Sequence, residues 1–249
     1  MTVSVTYSKQ SIAIVEMKDK VSKNTFSDRF SQQLIAAFNT IKQNTLTKVV
    51  ILHGYDNYFC CGGSKDELIS IYEGRKKFTD LNFYKILIEC EVPVICAMQG
   101  HALGAGFALG CYGDMMVMAK ESLYSTNFMK YGFTPGFGAT YIVPKKMGTL
   151  VGQEMLLSAN YYHGNELQAR GVGCSVVNKR EVISTALSLA QDLNEHSLIA
   201  LRLLKAQYRD TVLKELPAVI ERELAMHEIS FAQADVKQRI DRLFYAHSD

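Results

Sequence analysis

The sequence predicts an α/β fold whose last third is helical. Over the first 150 residues, short apolar or alternating runs recur between helix-patterned stretches, the signature of repeated strand and helix winding. From about residue 149 onward the strand signals nearly vanish and amphipathic helical patterns follow one another. At 249 residues and 48% hydrophobic, the chain has apolar surface enough for one large domain, or one domain with a helical appendage.

"VSVTYS" (3–8) and "IAIVEM" (12–17) alternate as strands do. A helix follows over about 27–43, with Phe30, Leu34, Ala37, Phe38 and Ile41 on one face, completing a β,β,α unit. "KVVILHG" (48–54) reads as a buried strand, 66–89 as a polar helical stretch, and "VPVICAM" (92–98) as another strand. The glycine-rich "QGHALGAGFALG" (99–110) turns into an apolar helix. "DMMVMA" (114–119), "SLYST" (122–126) and the loop "KYGFTPGFGAT" (130–140) come next. Beyond 149, "EVISTALSLAQDLNE", "SLIALRLLKAQYRD" and "LPAVIERELAMHEISFA" read as three consecutive helices. The expected division is a core over 1–190 and a helical region over 191–249.

Charge names no partner. Lys+Arg 27 against Asp+Glu 25 leaves a net charge of +2, without the basic run that marks nucleic acid or an anionic membrane. Val92 to Ala119 is apolar enough to imitate a membrane span, but Pro93 and its glycines divide it into a buried strand and a buried helix. The six cysteines (60, 61, 90, 96, 111 and 174) lie mostly in apolar stretches without metal-ligand spacing, which predicts reduced thiols and no metal site. The start "MTVSVTYSKQ" has neither the basic nor the apolar region of a secretory leader, so a cytoplasmic location is expected.

Two strand-to-helix turns stand out, "YDNYFCCGGSKDE" (55–67) and "GHALGAGFALG" (100–110). Each presents backbone N–H groups at the start of a helix, where they lack partners. A pair of such donors converging on one oxygen makes an oxyanion hole, suited to a thioester. The rival, a phosphate cradle, lacks both GxxxxGK[ST] and the GxGxxG spacing.

These two turns, with "KYGFTPGFGATYIVPKKMG", resemble in order and spacing the enoyl-CoA hydratase/isomerase, or crotonase, superfamily over about residues 3–245. The resemblance implies a crotonase-type spiral of ββα units with a C-terminal helical region serving oligomerisation and pocket closure, assembled as trimers or dimers of trimers. It implies oxyanion N–H groups at Cys61 and Ala105. The positions where hydratases carry acid/base glutamates hold Ala108 and Phe128, neither of which moves a proton, and hydration needs such groups.

"YDNYF", "AMQGH" and "NFMKYGFTPGFGAT" are similar to the hydratase-like decarboxylases of polyketide β-branching cassettes. That subgroup implies loss of CO2 from a 3-methylglutaconyl thioester on an acyl carrier protein to leave a 3-methylcrotonyl thioester. No cofactor is implied beyond the phosphopantetheine or CoA handle. It also implies a lysine after the first turn and a histidine on a C-terminal helix, placed at Lys77 and His227, with Lys76 and Lys65 as rival registers. The lysine would hold the substrate carboxylate and the histidine orient it or deliver a proton. Tyr72, Tyr84, His101 and Phe128 are candidate pocket residues, with Met129, Tyr131 and Phe133 as wall or core. On their own evidence Lys77 reads as a solvated surface charge, His101 as a hydrogen-bonded structural residue, and Cys60 and Cys61 as small apolar residues. Two alternatives stand beside the decarboxylase: a hydratase or isomerase using another carboxylate such as Glu67 or Glu73, and a non-catalytic binding protein with this fold.

Overall fold

The computed structural model describes residues 1–8, 11–80, 83 and 85–245, with the side chains of Thr79 and Tyr245 outside the description. Strands β1 (Val3–Ser8) and β2 (Ile12–Met17) form an antiparallel hairpin, and α1 (Asp28–Gln43) packs its apolar stripe Phe30, Leu34, Ala37, Phe38 and Ile41 inward. The Ser27 side chain caps α1 by accepting the Phe30 N–H. Next come β3 (Val49–His53), β4 (Tyr58–Cys60), α2 (Lys65–Tyr72), α3 (Lys85–Glu89), β5 (Val94–Met98), β6 (His101–Leu103), α4 (Ala105–Cys111), β7 (Met115–Ala119) and β8 (Leu123–Ser125). The chain continues through α5 (Ala139–Met147), α6 (Thr149–Ser158), β9 (Tyr162–His163), α7 (Gly164–Ala169), β10 (Ser175–Val177), α8 (Val182–Asn194), α9 (Leu198–Ser230) and α10 (Val236–Tyr245).

Two sheets result. The larger has the order β1-β2-β3-β5-β7-β10, parallel from β2 onward. Its central strands read as unbroken apolar runs because both faces are covered: Ile51, Ile95 and Val117 meet Ala186 and Ala190 of α8, while Leu52, Cys96 and Met118 face the main core. The smaller sheet, β4-β6-β8-β9, carries the two glycine-rich turns at the ends of β4 and β6.

The structure corrects four expectations. The helix expected over 66–89 stops after α2, because Gly74 takes a left-handed conformation at φ +71°; a 3-10 turn at Phe78–Asp80 precedes α3. β10 and β9, too short for a period to register, lie beyond residue 149. The division after residue 190 falls inside α8, which packs on β3, β5 and β7 of the large sheet. The two helices expected over 197–232 are one, since α9 runs through Pro217 with Leu216 and Val219 buried on either side.

Helix α9 is fastened at both ends. Near its start, buried Lys205 donates to both carboxylate oxygens of Asp114 at 2.8 and 2.6 Å and to the Leu87 carbonyl at 3.0 Å. Asp114 in turn accepts the Val94 N–H, so the contact reaches the first residue of β5. Farther along, α9 holds the loop that precedes α5. Glu223, 2% exposed, accepts the N–H groups of Gly138 and Thr140 at 2.7 and 2.9 Å and the Thr140 hydroxyl at 2.6 Å. It thereby caps α5, whose N-cap glycine has no side chain to do so. Burial pushes its carboxyl above the usual range while these donors pull it back. Ser230 Oγ accepts from Thr134 N–H, and His227 Nε2 donates to the Thr134 carbonyl at 2.9 Å.

Removing Glu223 leaves three donors facing an apolar pocket. Glu223→Ala is expected to lower unfolding stability by about 2–4 kcal/mol. Chemical denaturation at neutral pH checks this; a loss below about 0.5 kcal/mol would show that the loop does not depend on the helix.

Candidate active site

The two glycine-rich turns lie against each other, backbone to backbone. A Cβ on Gly106 would overlap the Cys60 carbonyl, and one on Gly62 would come within 2.7 Å of the Leu103 oxygen and 3.2 Å of Ala105 N, so both positions need glycine. Gly62 and Gly104 adopt φ +77° and +55°. This contact brings Cys61 and Ala105 to one cavity.

The donors differ in state. Ala105 is the first residue of α4, with no intrahelical acceptor for its N–H. The Cys61 N–H donates to the Lys23 carbonyl at 3.2 Å. That carbonyl is held by a rigid turn in which Lys23 and Asn24 both have positive φ, while buried Asn24 spends its amide on the Met17 and Phe59 carbonyls at 3.0 and 2.8 Å.

Two neighbouring cavities border this contact. An inner one of about 30 Å³ is walled by Phe26, Leu68, Ile71, Phe78, Phe128 and Phe133, with Cys61, Ala105, Glu67 and Asn127 at its polar edge. An outer one of about 500 Å³ runs past Lys23, Tyr58, Lys65 and His101 to Phe244 of α10. They share Cys61, Asn127 and Tyr131. The inner volume suits about two waters, so an acyl group enters only as the apolar wall parts.

Among the expected residues, Phe128 is 4% exposed on the inner wall, and Ala108 is fully buried behind the turn. His101 lines the outer cavity while its Nδ1 accepts the Leu123 N–H at 2.9 Å; burial holds its pKa down and the ring neutral, with the proton on Nε2. Tyr72 packs partly buried against the core and lines neither cavity. Tyr84 lies outside the described residues. Lys65 pairs with Asp241 of α10 at 2.8 Å beside the outer cavity.

The structure does not bring Lys77 to the inner cavity. The 3-10 turn directs Phe78 inward and leaves Lys77 exposed, its N–H on Asp80. Lys76 lines neither cavity itself but bonds Glu67, which does line the inner one, and Asp28, at 2.9 Å each. Glu67 is 7% exposed and lines the inner cavity, its Oε2 unpartnered among the described residues. "SKDE" is a capping-box pattern, but the Glu67 carboxylate turns to Lys76. Of the rival carboxylates, Glu73 is spent on Arg75 and Lys237 at the surface.

His227 is buried and lines a small pocket of its own with Phe78, Phe137 and Glu223 rather than the inner cavity; the Phe78 ring, 4.4 Å away, lines both. Burial lowers its pKa, so the ring is neutral at pH 7 with Nε2–H on Thr134, and among the described residues Nδ1 has no partner. In this arrangement it holds the loop. Sequence reasoning missed Asn127 and Glu223, which carry no motif of their own.

The sequence model of the enoyl-CoA hydratase/isomerase family matches residues 7–245. Bacillaene synthase decarboxylase PksI of Bacillus subtilis (strain 168) is 48% identical over 230 residues, 92% of each chain. Among solved structures, one from a dehydratase/decarboxylase enzyme couple involved in polyketide β-branching superposes with a TM-score of 0.96 at 46% identity, covering 98% of this chain and 99% of the other. The decarboxylase domain of CurF from Lyngbya majuscula gives 0.92 at 36% identity over the same shares. With the two turns packed as described and the match running almost end to end, the chain belongs to the enoyl-CoA hydratase/isomerase family.

Proposed function

We propose that the protein decarboxylates a 3-methylglutaconyl-type thioester, carried on an acyl carrier protein, to a 3-methylcrotonyl-type thioester during polyketide β-branching. One observation carries this reading. The inner cavity keeps a backbone donor at Ala105 but is apolar where hydration needs acid and base, with Ala108 and Phe128 both buried. Similarity to decarboxylases over nearly the whole chain supports it.

The chemistry suits such a cavity. As the bond to the distal carboxylate breaks, its electron pair passes through the conjugated double bond onto the thioester oxygen, giving CO2 and a dienolate whose γ-carbon then takes a proton. The conjugated thioester is the electron sink, so the reaction draws on no further cofactor. A fixed N–H stabilises charge on that oxygen more in the transition state than in the ground state. The outer cavity is the place for the phosphopantetheine arm, or for CoA, with the acyl group inward past Cys61 and Tyr131. The Cys61 N–H serves as the expected second donor only by exchanging its bond to Lys23. Lys76, bonded to Glu67 of the inner wall, is our candidate for the cation that meets the departing carboxylate; among the described residues Glu67 and Asp28 take two of its three N–H donors. His227 acts through the loop that it holds. Ile199, Leu203 and Tyr208 of α9 and Leu157 of α6 are large side chains left exposed, of the kind that a trimer interface would cover. Among the described residues no helix is long and apolar enough to cross a membrane.

The purified protein is expected to release CO2 from 3-methylglutaconyl thioester and to hydrate crotonyl-CoA far more slowly. Efficient hydration without CO2 release would instead put Glu67, the carboxylate in the wall, in the role of base.

Ala105→Pro removes the free N–H at the first helical position, where proline is tolerated. Turnover should fall about a hundredfold in a variant that keeps its fold. Undiminished turnover would place the hole elsewhere.

Lys76→Ala should lower turnover about a hundredfold, while Lys77→Ala should stay within about twofold, as surface changes usually do. The opposite ranking would return the role to Lys77.

A further inference from the structure

The outer cavity has a sheet for its floor. Strands β4, β6 and β8 set Tyr58, His101 and Leu123 side by side, and all three line the cavity. Their strand neighbours Phe59, Ala102 and Tyr124 are fully buried on the opposite face, as the two-residue period of a strand requires. His101 therefore rises from the sheet into the cavity, as does Leu103 two residues on. Its ring is fixed in orientation and in tautomer. Nδ1, the nitrogen bonded to Cγ, accepts the Leu123 N–H at 2.9 Å, so the proton is on Nε2 at the far end of the ring. Burial, and then Lys179 and His163 nearby, hold its pKa down and keep the ring neutral. The ring is half-buried, and its Nε2–H has no hydrogen-bond partner among the described residues. The fold uses one nitrogen and leaves the other to whatever enters the cavity.

Position along the strand selects the ligand atom. His101 stands four residues before Ala105, at most about 13 Å at the 3.3 Å rise of a strand. Behind its carbonyl, a thioester on a carrier arm offers a first amide five bonds away, a second amide nine bonds away and a phosphate fourteen bonds away. At about 1.2 Å of extension per bond, these lie about 6, 11 and 17 Å from the carbonyl carbon. With the thioester oxygen on the Ala105 N–H, the second amide is the acceptor that falls at His101. A neutral donor also suits an amide carbonyl better than a phosphate, which draws charged partners.

We propose that His101 is a binding residue for the carrier arm, its Nε2–H donating to the carbonyl of the second amide from the thioester. No covalent step is involved. The contact sets how deep the arm seats, and with it the reach of the acyl group into the inner cavity. The inference rests on placing the arm in the outer cavity under the decarboxylase reading, but it concerns binding and is read without turnover.

The test uses the product, a 3-methylcrotonyl thioester, on three handles: N-acetylcysteamine with the first amide only, N-acetyl-β-alanylcysteamine with both amides, and phosphopantetheine. Calorimetry gives their dissociation constants for wild type, His101→Asn and His101→Gln, beside the thermal unfolding of each. Asn keeps an acceptor where Nδ1 stands and lacks the distal donor; Gln supplies the distal donor and lacks that acceptor. Wild type is expected to bind the two-amide handle about tenfold more tightly than the one-amide handle, the scale of one neutral hydrogen bond. His101→Asn should erase that preference and His101→Gln retain it. The reverse pattern would make His101 a structural residue acting through Leu123 and overturn the proposal. Equal affinity for the two handles in wild type, or a preference that neither variant alters, would also overturn it. So would an effect of His101→Asn confined to phosphopantetheine, which moves the contact to the phosphate, or losses in both variants that track unfolding. If wild type binds as expected but releases no CO2 from 3-methylglutaconyl thioester, the proposed reaction fails and the arm contact stands.

Discussion

Two backbones touch where side chains would ordinarily keep them apart. Gly62 lies against Leu103 and Ala105, and Gly106 against Cys60, with no space for a methyl group at either point. This contact sets the separation of the two turns. It makes one cavity of two strand ends, and it explains why β4 and β6 pair in a small sheet of their own beside the larger one. The apolar wall of Phe26, Phe78, Phe128 and Phe133 then closes over a donor placed by main chain, whose position no side-chain rotamer can alter.

The wall is held from behind. The loop that leads from Phe133 to α5 includes Phe137, a non-glycine residue at φ +66°, a conformation that its own sequence does not favour. It persists because Glu223, His227 and Ser230 bond its backbone and Phe26, Phe83 and Tyr112 pack on the ring. A neutral histidine suits this better than a charged one, since its Nε2–H answers a carbonyl in an apolar pocket.

Much of this was legible in the sequence, for identifiable reasons. Strands such as "VVILH" and "VICAM" are buried on both faces and read as unbroken apolar runs, and the glycines of the two turns announce close approach. Three-residue β10 offers no period to read, and α9 reads as two helices because local pattern does not report the burial of Leu216 and Val219. At the site, adjacent lysines are indistinguishable until the Phe78 turn decides which one faces inward. Asn127 has no motif, and only the packing of the two turns shows that it borders both cavities.

The unbroken course of α9 carries a requirement of angle. Eighteen residues separate Lys205 from Glu223, about five turns at 3.6 residues each, so both side chains leave the helix in the same direction. Losing or gaining one residue between them would swing Glu223 by about 100° relative to Lys205, with every individual residue still present. What the helix must preserve between its two fastenings is therefore phase: the number of residues from Lys205 to Glu223 matters as much as the two side chains themselves.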